Sequence, residues 1–192
     1  MFRMKNEMFL TGLVVAAGCI GVTLWSCSDG SSLGDAEQRE INSKVDALEE
    51  LAGFTVLQPG YLPSSVTRVP GTQSDRQGEA ILWYASEQPA VPLGGLSEVV
   101  VDQDHDPDGK ALTTCASNIG ETTEMQEVDG TRIATIVVPG SDGTVVHSMR
   151  FWTAERCVFL HMLWKLDGGI EEFTDDMNQE GLKVAKSLLS AN

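Results

Sequence analysis

Arg156–Lys165 (RCVFLHMLWK) is the stretch on which the fold turns. From Val158 to Trp164 it is apolar at both odd and even positions. Such a strand is buried on both faces, so another layer has to cover the sheet that contains it. The chain supplies one directly downstream. Thr174 to Ser190 predicts a helix with Met177, Leu182, Ala185, Leu188 and Leu189 on its inner face. Upstream lie further strand-like runs: Val145–Thr153 (VVHSMRFWT), Thr131–Val138 (TRIATIVV), Thr122–Val128, Leu96–Gln103 (LSEVVVDQ) and Ala80–Ser86 (AILWYAS). Turn chemistry separates them at Pro107-Asp108-Gly109, Asp129-Gly130 and Pro139 to Gly143. Asp129-Gly130 is the strongest hairpin signal, because both central positions of that turn need positive φ.

Further toward the N-terminus, Asp35 to Ala52 predicts a helix. Ile41, Val45, Leu48 and Ala52 make one apolar stripe along it. Asp35 is a candidate cap at its start and Gly53 a stop at its end. Phe54 to Leu57 reads as a short strand, and Gln58 to Pro63 (QPGYLP) as a rigid turn. The predicted architecture is α+β: an antiparallel β-sheet (meander) covered by an N-terminal and a C-terminal helix. Residues 35–192 make a single domain.

Composition bounds the function. The chain has 192 residues, a net charge of −15 and 42% apolar residues. The first 27 residues carry only Arg3, Lys5 and Glu7, so the acidity belongs to the rest. That balance argues against nucleic acid and against anionic membrane surfaces as electrostatic partners.

The N-terminus reads as an export signal. Met1 to Asn6 is a short basic start, and Met8 to Trp25 (MFLTGLVVAAGCIGVTLW) carries no charge. Leu24-Trp25-Ser26-Cys27 then resembles a bacterial lipobox, with Cys27 as the lipidated residue. Three readings stay open for residues 1–27: a lipoprotein signal, an uncleaved anchor, or ordinary secretion. All place the bulk of the chain on the extracytoplasmic face, since Arg3 and Lys5 hold the N-terminus inside. Residues 28–34 (SDGSSLG) are a flexible tether.

Of the four cysteines, Cys19 and Cys27 belong to the signal, which leaves Cys115 and Cys157. In an oxidising compartment an even pair predicts a disulfide, with two separate buried thiols as the alternative. Asp104-His-Asp106-Pro-Asp108-Gly109 has the spacing that opens a calcium loop. Position 12 of such a loop is Cys115 rather than a bidentate Glu. A weak Ca²⁺ site on Asp104, Asp106 and Asp108 therefore stands beside the plainer reading, a solvated acidic hairpin tip.

Catalytic signatures are not evident: there is no H-E-x-x-H, no G-x-S-x-G and no Walker loop. With a two-residue turn at Ala154-Glu155, position 147 pairs with 162 and 148 with 161. His147 and His161 then point to opposite faces and share no metal. His161, in an apolar strand, reads as a satisfied core histidine. Glu171-Glu172 and Asp175-Asp176 read as helix-start carboxylates that complement the dipole. Trp83, Tyr84, Phe151, Trp152, Met162 and Trp164 either line a pocket between sheet and helix or simply pack the core.

One resemblance spans roughly Leu51 to Leu189. It is carried by Phe54-x-Val56-Leu57-x-Pro59-x-Tyr61-Leu62-Pro63, then Leu82-x-Tyr84 and Val99-x-Val101-x-Gln103. Val128-Asp129-Gly130, Arg150-Phe151-Trp152, Phe159-Leu160 and Ala185-Lys-Ser187-Leu188 complete it. In this order the chain resembles a small bacterial envelope domain of unknown function with an "LP-x-G-aromatic" start. That domain is found in lipoproteins, in anti-sigma-factor ectodomains and beside modules similar to outer-membrane lipoprotein-sorting proteins. Ser64-Ser65 and the acidic insertions at 88–95 and 104–120 depart from its pattern. The resemblance implies no catalytic residues. Only Met1 to Glu7 precede the apolar run, too few for a cytoplasmic sigma-binding domain. The expected function is a non-catalytic, membrane-anchored envelope domain that recognises a protein or cell-wall partner, in a regulatory or accessory role. The alternative is a carrier or sensor of lipid or a small apolar ligand.

Overall fold

A computed structural model describes residues 34–108, 115, 123–152 and 155–191. The expected signal segment with Cys27, nearly all of the expected tether, Gly109, Thr122, Thr153 and Ala154 lie outside the described residues.

Helix α1 runs over Asp35–Ala52, and its apolar stripe of Ile41, Val45, Leu48 and Ala52 is buried as the periodicity demands. Gly53 ends it with φ 80°, a conformation open to glycine at little cost. The start differs from expectation. Gly34 occupies the cap position with no side-chain bond, and Asp35 joins Glu37 in the first turn. There the carboxylates still favour the helix dipole.

Seven strands follow: β1 (Gly71–Gln73), β2 (Glu79–Ala85), β3 (Leu96–His105), β4 (Glu124–Val128), β5 (Thr131–Pro139), β6 (Thr144–Trp152) and β7 (Arg156–Lys165). All neighbours are antiparallel, in the order β1-β2-β3-β7-β6-β5-β4. The meander order holds within β1–β3 and within β4–β7. Between the two runs the chain crosses over, so β7 rather than β4 lies beside β3. This puts the most apolar strand in the middle of the sheet, where it loses most surface to neighbours. Helix α2 (Asp175–Leu189) follows a 3-10 turn at Gly169–Glu172. The Thr174 hydroxyl caps α2 by accepting from the Met177 N–H.

Both hairpin predictions hold in detail. Asp129 and Gly130 have φ 50° and 80°, which joins β4 to β5. His147 pairs with Met162 and Ser148 with His161, the register expected for β6 and β7.

The core lies between the sheet and the two helices. Rows across the sheet carry it: Tyr84–Val99–Met162–His147–Val137, and Leu82–Val101–Leu160–Met149–Thr135. Leu82, Val99, Val101, Leu160 and Met162 are fully buried, and a large apolar side chain so placed contributes about 1.5–3 kcal/mol. Helix α2 approaches closely at Gly181, where a Cβ would lie 2.7 Å from His147 Cε1. Gly181 and Val184, absent from the expected inner face, are buried alongside Ala185 and Leu188.

Phe54 to Leu57 is not a strand. Its backbone bonds to side chains instead: Leu57 N–H donates to Gln103 Oε1, Gln103 Nε2 donates to Leu57 O, and Val56 N–H donates to Glu49 Oε1, each at 2.8 Å.

Candidate functional site

Both helices pack on one face of the sheet. Strand alternation sends the other residues of β2, β3, β5, β6 and β7 to the opposite face. Because β7 is apolar at both parities, that opposite face is apolar at its centre as well. Helices α1 and α2 do not cover it; among the described residues helical Cys115 lies over it, bonded to Cys157 and to Arg150.

The register defines the open face row by row. One row is Ile81–Asp102–Phe159–Arg150–Ala134–Met125. The next is Trp83–Val100–His161–Ser148–Ile136, and the third is Ala85–Glu98–Leu163–Val146–Val138. Ile81, Trp83, Val100, Phe159, His161, Leu163, Val146 and Ile136 are all half-buried. Trp83 lies on β1 where Gly71 has no side chain; a Cβ there would meet the indole ring. Glycine at 71 is thus what lets the edge strand pass beside the ring.

At the centre sits a connected polar group. The Arg150 guanidinium is 4.7 Å from the centroid of Phe159, and its Nη1 donates to the Cys115 carbonyl at 3.0 Å. Phe159 and His161 stack at 6.4 Å with 15° between planes. His161 Nδ1 and the Ser148 hydroxyl are hydrogen-bonded at 2.7 Å. Burial pushes the His161 imidazole below its ordinary range, and the neighbouring Arg150 charge pushes the same way. His161 is therefore neutral, and Arg150 carries the positive charge. A cavity of about 160 Å³ opens here, lined by Ala134, Ile136, Ser148, Arg150, Phe159 and His161 among others. A larger one, about 520 Å³, lies on the other side of Arg150 and Phe159, beside Cys115–Cys157, Arg76 and Asp104.

Cys115 and Cys157 form the expected disulfide, with Cα atoms 6.0 Å apart. Cys157 shares its parity with Phe159 and His161, so the bond holds Cys115 at one end of the open face. In the chain-entropy model, a closure across 42 residues stabilises by about 4 kcal/mol.

The described part of the acidic segment shows two of its contacts. Asp104 is ion-paired with Arg76 at 2.9 Å. Asp106 Oδ1 accepts the Asp108 N–H at 2.9 Å, an Asx turn. Among the described residues no three metal-ligating side chains are gathered together. Cys115, at the position that would complete the loop, is consumed by the disulfide. Asp102 is pushed up to about 6, first by burial and then by Asp104 and Glu79, with Arg76 opposing.

The histidines are dispersed. His105 stacks on Phe54 at 5.0 Å. His147 and His161 face opposite sides of the sheet, as the register requires. His161 is not the core histidine; that is His147, fully buried, with neither ring nitrogen hydrogen-bonded and the Phe173 ring centroid 4.9 Å from its own. The six residues weighed as a pocket also divide. Tyr84, Phe151, Met162 and Trp164 are buried under the helices, while Trp83 and Trp152 lie on the open face. They therefore line no common cavity.

The Ser148–His161–Arg150 group was not singled out from the sequence. Its linear trace is a polar i, i+2 pair, Ser148 and Arg150, in β6, opposite a histidine in β7.

Among the described residues no helix is long and apolar enough to cross a membrane. No family model matches the chain, and no curated protein or solved structure matches it either.

Proposed function

We propose that this chain is a non-catalytic extracytoplasmic module of a bacterial cell envelope that recognises a protein or cell-wall partner. In this reading Cys27 or the N-terminal apolar run holds it at the membrane, and residues 35–192 project outward. The open face of the sheet carries the proposal. Among the described residues it is a half-buried, mainly apolar surface with Arg150 at its centre and Asp102 and Glu98 in the same rows, in a chain whose net charge is −15. Surfaces of that kind mark interaction sites. The Cys115–Cys157 disulfide supports an oxidising compartment. The resemblance to the envelope domain supports the same placement.

The carrier reading draws less support. The layer between sheet and helices is filled: Phe151, Leu160, Met162 and Leu188 are each within 1% of complete burial. An acyl chain has no room there without displacing the core.

Site-specific photo-crosslinking in intact cells tests the proposal. A crosslinker at position 163 or 146, on the open face, is expected to capture a discrete partner. The same group at position 43 or 50, on the exposed side of α1, serves as the control and is expected to give none. Equal yields from both faces would remove the assignment. Native mass spectrometry of the full chain addresses the carrier alternative, since a retained lipid mass would favour it. Cys27→Ser is expected to abolish a diacylglyceryl mass increment; an unchanged mass would leave the uncleaved anchor.

A further inference from the structure

We propose that His147 is an acid latch for α2: a proton added to its imidazole releases the helix from the sheet while the strands stay paired. The device lies on the helix-covered face of the sheet and is independent of the recognition surface on the other.

Position comes first. His147 is fully buried on β6. Gly181 of α2 sits directly over its ring: a Cβ at 181 would lie 2.7 Å from Cε1 and 2.9 Å from Nδ1. The Phe173 ring closes one side edge-on, with centroids 4.9 Å apart. The imidazole is therefore part of the seat of α2, and water does not reach it while the helix is seated.

The seat suits only the neutral ring. Neither ring nitrogen has a hydrogen-bond partner. A protonated ring carries two N–H donors and a charge, which is far costlier to bury unpaired. On the sheet its neighbours are Val137, Thr135, Met149 and Met162, none of them charged. Arg150 and His161 belong to the opposite face. Above it, the charged groups are Glu171 and Glu172 on the 3-10 turn, and Asp175, Asp176, Glu180 and Lys183 on α2. Glu180 is engaged by the Tyr61 hydroxyl and by Lys183, and Lys186, the remaining α2 cation, pairs with Asp129 at 3.1 Å. None of these compensates the ring: burial alone pushes its pKa from 6.5 down to about 4. The released state binds the proton and the seated state does not, so acid favours release.

The connection lets the helix leave by itself. Asp167-Gly168-Gly169 joins β7 to the 3-10 turn, and Gly169 has φ 69° with nothing within 4 Å of a Cβ placed there. The turn buries no residue of its own. Strand pairing from β3 through β7 to β5 runs through backbone bonds in which α2 has no part. A unit attached in this way can open below the free energy of global unfolding.

Hydrogen exchange of the full chain tests the latch, read by mass spectrometry from pH 7.5 to 4 with intrinsic rates divided out. Opening of segment 176–189 is expected to rise about 100-fold over that range, at close to tenfold per pH unit, the signature of one proton taken up. Segment 158–164 of β7 is expected to keep its protection. His147→Leu is expected to remove the rise, and His147→Met replaces it if leucine disturbs the fold. Equal loss of protection in both segments would mean global unfolding and would overturn the proposal. An unchanged α2 would overturn it as well. So would a rise confined to below about pH 5, where carboxylates titrate. A rise that survives in the His147 variants would assign the effect to the Glu180 and Asp129 contacts, which neither substitution touches, and would likewise end it.

Discussion

Gln103 on β3 and Leu57, in the segment after α1, hold each other by two hydrogen bonds of 2.8 Å across 46 residues of sequence. The carboxamide accepts the Leu57 N–H and donates to the Leu57 carbonyl, as a neighbouring strand would. Gln103 is fully buried among apolar residues. It is the means by which an irregular segment crosses the core face without orphaned backbone groups.

Gln103→Leu should therefore be costly although it adds apolar surface. It leaves a buried N–H and a buried carbonyl unpaired, a loss of about 2–4 kcal/mol. Urea unfolding monitored by tryptophan fluorescence checks this. A loss below about 1 kcal/mol would mean that water replaces the carboxamide.

His147 makes stability depend on pH. Burial lowers its pKa from 6.5 to about 4, so between those values the unfolded chain binds the proton and the folded chain does not. The contribution is complete above pH 6.5 and is lost as pH falls toward 4, about 3 kcal/mol in all. Asp102 acts oppositely. Its folded pKa is raised from 3.8 to about 6, so its effect destabilises the fold as pH rises through that window. The two slopes offset each other near pH 4–6. In His147→Leu the offset disappears, and stability should rise on acidification from pH 6 to 4. Denaturant midpoints at a series of pH values read the sign directly.

Gly181→Ala tests the seat of α2. Alanine favours a helix interior by about 1 kcal/mol over glycine. Here its Cβ would come within 2.3 Å of Met149 Cε and 2.7 Å of His147 Cε1. Met149 can swing aside, but the buried imidazole cannot move without displacing Phe173. Net destabilisation of about 1–3 kcal/mol is expected, as for an overpacked core. A higher melting temperature in the variant would show that α2 shifts freely.

Reduction of Cys115–Cys157, or Cys115→Ser with Cys157→Ser, should lower stability by about 4 kcal/mol. The double variant should retain the far-UV spectrum of the sheet, because every strand pairing runs through backbone bonds independent of the disulfide. Loss of that spectrum would mean that the closure is needed to assemble β3 beside β7.

Local signals account for much of the architecture. The Asp35–Ala52 stripe, Gly53, the Asp129-Gly130 turn and the β6–β7 register all depend on neighbours a few residues apart. Periodicity and turn chemistry therefore reveal them. The pairing of Cys115 with Cys157 was legible for a different reason, since only two cysteines follow the apolar N-terminal run that ends at Cys27. The strand expected at Phe54–Leu57 failed because the partner of that segment is a side chain 46 residues away. No pattern in those four residues indicates it.

Alternation along each strand divides its side chains between two faces, and that much is written in the chain. Which face the helices cover is not. It follows from the crossover that puts β7 beside β3, and from Gly181 admitting α2 close to His147. Those events bury His147 rather than His161. They also leave Arg150, Phe159, His161 and Ser148 together on the side that neither α1 nor α2 covers. Alternation is a property of consecutive backbone units, whereas the choice of face is a competition between long-range contacts, and only the folded chain resolves it.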